Sequence, residues 1–171
     1  DKDTIDAAKE KLLKTIAELH LEVNPDKVVE TAPGQPWTFL GFKCNGREID
    51  VSRISVEKLK AKMRRKARAI DRWRKTNGKE GWMAARAFIK HFNKKLYTSE
   101  SNCEVNWSWW YFPIITTEKS LKEIDVYMQD CIRFVATGSR TKSRFYFTYD
   151  QMKELGLQSL VNKWFTLKKF S

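Results

Sequence analysis

The sequence contains few of the residues from which metal sites and disulfide frameworks are built. Its three cysteines, Cys44, Cys103 and Cys131, are an odd number at unrelated spacings, which fits neither a set of disulfides nor a zinc module. Its two histidines, His20 and His91, lie far apart in the sequence without neighbouring ligand residues. We therefore expect no metal site in this chain, and thiols kept reduced in a cytoplasmic setting.

Long apolar runs are also missing. No run approaches the roughly 18 apolar residues of a membrane span, so we expect no membrane partner. Apolar residues nevertheless make up 42% and aromatic residues 13% of the 171 positions, which is enough for a globular chain with a core. The first residue is Asp1 and a helical pattern begins almost at once, so we expect a fragment of a longer protein.

The positive charge is unevenly distributed along the chain, whose formal net charge is +12. Residues 1–50 carry seven Lys and Arg against ten Asp and Glu, a balance of −3, and residues 51–171 carry the remaining 26 against 11, a balance of +15. The shift predicts a boundary near Val51, with one domain over residues 1–51 and a second over residues 52–171. The basic second part predicts a polyanionic partner, with nucleic acid as the first candidate.

The first fifty residues combine one helix with strand-like segments. Apolar residues at three- and four-residue intervals predict an amphipathic helix over Thr4–Leu19, and a turn follows at Asn24-Pro25-Asp26. A short strand is predicted at Val28–Thr31, and a hairpin runs from Trp37 to Ser52 around an Asn45-Gly46 turn. One helix with so few strands buries too little to stand alone, so we expect the end of an α+β domain.

The remaining residues are predominantly helical in pattern. Helices are predicted over about 55–75, 80–97 and 117–137, the last of them stopped by Gly138. A short strand is predicted at Phe145–Phe147, after a basic loop with Arg140, Lys142 and Arg144, and one or two short helices lie within Tyr149–Phe165. The stripes expected to face the core are Val56, Leu59, Met63, Ala67, Ile70 and Trp73 in the first helix, and Trp82, Ala85, Ile89, Phe92 and Leu96 in the second. These elements predict a small helical bundle.

Three segments are candidates for contact with nucleic acid. The first helix of the bundle carries ten basic residues and one acid, Asp71, between Lys58 and Lys75, and such a face can neutralise phosphates in a salt-dependent manner. Its candidates away from the apolar stripe are Lys58, Lys62, Arg65, Arg68, Arg72 and Lys75. The aromatic segment Trp107–Ile115, predicted to be irregular, is either core or a stacking surface for unpaired bases, and the basic loop is either solvated or part of the phosphate-binding surface.

The order of motifs resembles reverse transcriptases of the bacterial group II intron and retron kind. The segment Leu21–Lys27, with the sequence LEVNPDK, is similar to a lysine-bearing turn near the end of the palm in that family. The segment Phe39–Phe42, with the sequence FLGF, is similar to the hairpin that follows it, and a helical thumb comes next. By motif the resemblance covers about residues 1–75. It implies an α+β fold in which residues 1–51 end a polymerase palm and residues 52–171 form a thumb.

The resemblance also implies roles for individual residues. Phe39, Leu40, Gly41 and Phe42 would form a primer grip, in which Gly41 lets the sugar-phosphate backbone approach closely. Lys27 would lie near the phosphates of the incoming deoxynucleotide, as a phosphate contact or a general acid. The implied partners are an RNA template, a DNA primer and, for the parent enzyme, deoxynucleotides and Mg²⁺.

The carboxylates that hold the catalytic metals in that family are missing from this chain. The family places two Mg²⁺ ions on an earlier aspartate and a Tyr-x-Asp-Asp turn, and no Tyr-x-Asp-Asp occurs here. We therefore expect this chain to be inactive by itself as a nucleotidyltransferase. Two alternatives remain open, namely a non-catalytic RNA-binding module derived from a polymerase fold, and a basic helical protein that binds partners or acidic membrane surfaces.

Overall fold

Two units make up the chain in a computed structural model, Asp1–Pro33 and Gly34–Ser171. The structure describes residues 2–32, 34–98, 106–141 and 143–169. The strands near residues 37–51 belong to the same compact unit as the helices that follow them. The boundary predicted after residue 51 rests on the shift in charge along the sequence, and it stays a prediction.

In its described residues, the first unit contains an α-helix and a short 3-10 turn, Pro25–Lys27. Helix α1 spans Lys2–Glu18, close to the predicted Thr4–Leu19. The predicted strand at Val28–Thr31 is wrong, because this segment has no β-ladder partner in the described chain and a strand requires one. Glu30 of this segment forms an ion pair with Lys9 of α1.

A small antiparallel sheet opens the second unit. Strands β1 (Trp37–Phe39), β2 (Phe42–Asn45) and β3 (Glu48–Val51) are paired in that order. The predicted Asn45-Gly46 turn is displaced by one residue, since Asn45 pairs with Glu48 and leaves Gly46-Arg47 at the centre of the turn. Only Gly46 of this pair has a positive φ, of 60°, the pattern of a type II′ rather than a type I′ turn.

The rest of the second unit is helical, so the coarse α+β class is confirmed for the described residues. Ser52 begins α2 by accepting a hydrogen bond from the backbone N–H of Ser55, and Gly138, with a φ of 75°, ends α5 as predicted. None of the described helices is long and apolar enough to cross a membrane. The helices are α2 (Arg53–Thr76), α3 (Gly81–Tyr97), α4 (Trp107–Tyr111), α5 (Lys119–Thr137), α6 (Ser143–Tyr146), α7 (Tyr149–Glu154) and α8 (Leu160–Lys168).

The core lies where α5 packs against α2 and α3. The predicted stripes are confirmed for every member except Trp73 and Trp82, which are 42% and 47% exposed. Trp73 lies in the last turn of α2 and Trp82 in the first turn of α3, so each ring lies at the end of its helix, beyond the buried part of the stripe. The periodicity therefore identified the face of each helix that packs in the core, but it wrongly included one exposed tryptophan at the end of each stripe.

Two aromatic segments differ from their predictions. Phe145–Phe147 is not a strand, since Ser143–Tyr146 forms the short helix α6, and Phe147 follows it into the core. Helical geometry leaves Phe145 and Tyr146 84% and 73% exposed. The segment predicted to be irregular contains α4, whose first turn is capped by the Asn106 side chain.

Two close contacts join the helices of the second unit. A Cβ built on Gly81, at the start of α3, would lie only 2.0 Å from the carbonyl oxygen of Ala136 in α5, so the two backbones touch at this point. Asp125 of α5 is buried, and its carboxylate accepts hydrogen bonds from Ser159 Oγ at 2.6 Å and from the backbone N–H of Leu160 at 2.9 Å. Asp125 therefore caps the N-terminus of α8 across the bundle.

Candidate nucleic-acid interface

The FLGF segment forms a tight turn at the end of a hairpin. Phe39 pairs with Phe42 across the ladder, so Leu40 and Gly41 are the two central residues of the turn. Their φ angles are 48° and 91°, both positive as a type I′ turn requires. A positive φ is rare for a residue as large as leucine. Phe39 and Leu40 are 61% and 63% exposed, whereas Phe42 is buried.

Residues of this chain hold the turn in place. The backbone N–H of Ser52 donates to the Gly41 carbonyl at 2.7 Å, and Trp110 Nε1 donates to the Leu40 carbonyl at 3.4 Å. A Cβ built on Gly41 would lie 2.6 Å from Tyr111 Oη and 2.9 Å from Ser55 Oγ. The positive φ and the packing of the chain by themselves therefore favour a glycine here, and a close approach of the primer to Gly41 stays a prediction.

A groove lies between α2, α3 and α4. Its volume is about 620 Å³. None of the described residues that line it is a carboxylate, and four of them are lysines. We call it the cationic groove, and its lining is Ser55, Lys58, Leu59, Lys62, His91, Lys94, Lys95, Leu96, Thr98, Asn106, Trp107 and Tyr111.

The cationic groove continues to the FLGF turn. A smaller depression of about 350 Å³ is lined by Phe39, Leu40 and Gly41 on one side. Ser55, Lys58 and Tyr111 line both this depression and the groove. The turn and the lysines thus form one continuous surface, exposed at the turn and basic along α2 and α3.

The structure brings together only part of the predicted basic set. All six side chains are exposed, and Lys58 and Lys62 line the cationic groove. Arg68 instead lines a second cavity beside α5. Lys75 is paired with Asp71 at 2.8 Å, and Arg65 and Arg72 line neither cavity. The set is divided because residues two or six positions apart on a helix point to different sides.

Asp71 is a buried carboxylate in this otherwise basic helix. Its Oδ2 accepts from Lys75 Nζ at 2.8 Å and its Oδ1 from Arg74 Nη2 at 3.1 Å. Burial is the largest single influence on the pKa of Asp71 and raises it, but the hydrogen bonds and charges of Lys75 and Arg74 together outweigh burial and lower the pKa. Asp71 therefore stays ionised and neutralises part of the charge at the end of α2.

His91 of α3 lines the groove together with the lysines, and its ring is partly buried. Partial burial, followed by the charges of Lys66 and Lys95, lowers its pKa from the ordinary value of 6.5. At pH 7 the ring is thus neutral in the free protein, and a polyanion in the groove would favour its protonation. The basic set predicted from the sequence does not include His91, Lys94 and Lys95, although their three- and four-residue spacing beside the α3 stripe was a usable signal.

The remaining candidates are Lys27, the aromatic segment and the basic loop. Lys27 is exposed at the end of a short 3-10 turn, Pro25–Lys27, in the first unit, and its predicted contact with nucleotide phosphates stays a prediction. In the aromatic segment, Tyr111 and Phe112 belong to the core, whereas Trp109 is 63% exposed. Lys142 of the basic loop lies outside the described residues.

The described residues offer no ligand set for a metal ion. No three His, Cys, Asp or Glu side chains come together in them, so they do not fit the Mg²⁺ ions that the resemblance implies for the parent enzyme. Cys103 lies outside the described residues, and Cys131 is buried, which raises the pKa of its thiol to about 12.

Comparisons with protein-family models, with curated proteins and with solved structures find no match to this chain. The motifs and the geometry of the groove are therefore the basis on which a function can be assigned.

Proposed function

We propose that this chain is the palm end and thumb of an RNA-directed DNA polymerase, in which it positions and clamps the template–primer duplex. The observation that carries the proposal is the continuity of the FLGF turn with the cationic groove through Ser55, Lys58 and Tyr111. If the end of a primer were held at the turn, the duplex that it forms with the template would lie beside the lysines of the cationic groove. The FLGF motif, one of the two motifs that suggest the family, thus adjoins a surface of matching charge.

The groove suits recognition of a nucleic-acid backbone rather than of bases. Its charged lining groups are the ammonium groups of Lys58, Lys62, Lys94 and Lys95, which bind phosphates as point charges and carry no sequence information. An A-like RNA–DNA hybrid is recognised in this way, through its shape and its phosphates. We infer that the chain binds hybrids of any sequence.

The test is the affinity of the chain for a labelled RNA–DNA hybrid, measured by fluorescence anisotropy over a range of salt concentrations. Four phosphate contacts predict a slope of log K against log salt of about −3.6, at about 0.9 per contact. The double substitution Lys58→Ala and Lys62→Ala should make the slope shallower by about 1.8. The matched control is Lys163→Ala with Lys168→Ala, two exposed lysines of α8 outside the groove.

A groove variant that loses no more affinity than the α8 variant would contradict the proposal. Tight binding to acidic vesicles that the hybrid cannot displace would favour the membrane-surface alternative. The RNA-binding module makes the same binding prediction, and the reading frame upstream of Asp1 separates it from the polymerase. A Tyr-x-Asp-Asp turn encoded there supports the enzyme, and we then expect incorporation of deoxynucleotides only by the longer protein.

A further inference from the structure

A second cavity lies on a different side of α2, between this helix, α5 and α6. Its volume is about 690 Å³, within the usual size range of a small-molecule site. Arg64 and Arg68 of α2 line it, whereas Lys62, two residues from Arg64, lines the cationic groove. Two residues correspond to about 200° around a helix, so the two surfaces are separate.

The charge of this cavity comes from four arginines. Arg140, in the loop after α5, and Arg144, in α6, line it together with Arg64 and Arg68. None of the four forms an ion pair within the described residues. The single carboxylate in the lining, Asp130, is engaged at 3.1 Å by an arginine outside it, Arg133. We call this site the arginine cavity.

Aromatic rings form the rest of its surface. Tyr127 and Phe134 contribute from α5, and the Arg140 guanidinium lies over the Phe134 ring, 5.4 Å from its centroid. At the rim, Phe145 is 84% exposed. An exposed ring beside guanidinium groups that form no ion pair within the described residues combines a stacking surface with bidentate donors for phosphate.

We propose that the arginine cavity binds unpaired nucleotides of a single-stranded nucleic acid, at a site distinct from the duplex groove. Bases in a duplex are stacked on one another and cannot cover Phe145, whereas unpaired bases can. This site would give the chain a single-stranded ligand in addition to the duplex of the proposed function. Binding of the single strand can be tested independently of duplex binding.

The test compares two labelled probes in anisotropy titrations of the full chain. One is a single-stranded oligothymidylate of about 12 nucleotides, a length typical of single-strand sites, and the other is the RNA–DNA hybrid. In the variant Arg140→Ala with Arg144→Ala we expect the salt slope for the single strand to become shallower by about 1.4, at about 0.7 per contact, and its affinity to fall about tenfold. Hybrid affinity should stay within about twofold, because the groove lysines are unchanged.

The matched control is Arg47→Ala with Arg86→Ala, which removes the same charge from two exposed arginines that line neither site. Phe145→Ala tests stacking separately. Because the Phe145 ring is exposed, the fold should tolerate this substitution. We expect this variant to weaken single-strand binding at every salt concentration without changing the slope.

Several results would overturn the proposal. One is an equal loss of oligonucleotide affinity in the cavity variant and in the control variant, and another is an equal loss of affinity for the oligonucleotide and the hybrid in the cavity variant. An unchanged oligonucleotide affinity in Phe145→Ala would also overturn it, as would tighter binding of an acidic or phosphorylated peptide than of the oligonucleotide. If the hybrid fails to bind while the oligonucleotide still depends on Arg140, Arg144 and Phe145, the arginine cavity stands and the duplex proposal fails.

Discussion

Replacing Gly41 with alanine measures how strongly this chain by itself constrains the FLGF turn. A left-handed φ costs an alanine about 1–2 kcal/mol. The added Cβ would also lie 2.6 Å from Tyr111 Oη and 2.9 Å from Ser55 Oγ, where ordinary contacts are 3.4–4 Å, and such overpacking costs about 1–3 kcal/mol. We expect Gly41→Ala to lower the free energy of unfolding by about 2–5 kcal/mol.

Gly46→Ala is the matched control for this substitution. Gly46 is also a turn glycine with positive φ, of 60°, but a Cβ there would have no neighbour within 4 Å. Gly46→Ala should therefore carry only the cost of an unfavourable backbone conformation, about 1–3 kcal/mol. The difference between the two variants in chemical denaturation, followed by tryptophan fluorescence, isolates the contact with Tyr111 and Ser55. In a Tyr111→Phe background, which removes the hydroxyl, the cost of Gly41→Ala should fall.

Equal destabilisation by the Gly41 and Gly46 substitutions would refute this reasoning, as would an unchanged cost in the Tyr111→Phe background. The same variants also test the predicted primer contact. If folded Gly41→Ala protein binds the hybrid less tightly than Gly46→Ala does, the primer approaches this turn. An equal affinity would leave packing as the complete explanation of the glycine.

Other substitutions test single contacts of the fold and groove. Gly81→Ala should destabilise the protein in thermal unfolding despite a gain of about 1 kcal/mol in helix propensity, because its Cβ would lie 2.0 Å from the Ala136 carbonyl oxygen. Asp125→Ala should cost about 1–3 kcal/mol or more in unfolding free energy and increase hydrogen exchange at the start of α8, whose N–H groups lose their acceptor. Asp71 has a lowered pKa in the folded state, so its stabilisation should be present above about pH 4 and be lost as the pH falls further, with a smaller acid dependence in Asp71→Asn. Because the pKa of His91 is lowered in the free protein, hybrid affinity should rise as the pH falls from about 8 to 5, and His91→Gln should remove that rise.

Each of these expectations has a contradicting outcome. An unchanged melting temperature in Gly81→Ala would mean that α3 and α5 separate easily at this point. Unaltered exchange in α8 after Asp125→Ala would show that water replaces the carboxylate at no cost. An acid transition identical in wild type and Asp71→Asn would assign the pH dependence to other carboxylates, and a pH-independent hybrid affinity would place His91 outside the interface.

The local elements followed largely from patterns in the sequence. Helices α2, α3 and α5 were predictable because their apolar residues recur with helical spacing over many turns, and Gly138 marked the end of α5. The short aromatic run at Phe145–Phe147 gave no such signal, since three residues complete neither a helical nor a strand period. Val28–Thr31 has strand-like composition, but composition cannot supply a neighbouring strand.

The sequence by itself determined the helical stripes, the strong positive charge of α2 and the FLGF motif with its preceding lysine turn. Only the tertiary structure decided which charges share a surface. Side chains that are close in sequence point to different sides of α2, and different helices pack beside each side, α3 and α4 at the cationic groove and α6 at the arginine cavity. Packing placed Lys58 and Lys62 beside the α3 cations and Arg64 and Arg68 beside Arg140 and Arg144. It also brought Tyr111, 70 residues later in the chain, against Gly41, a contact between distant residues that no local pattern encodes.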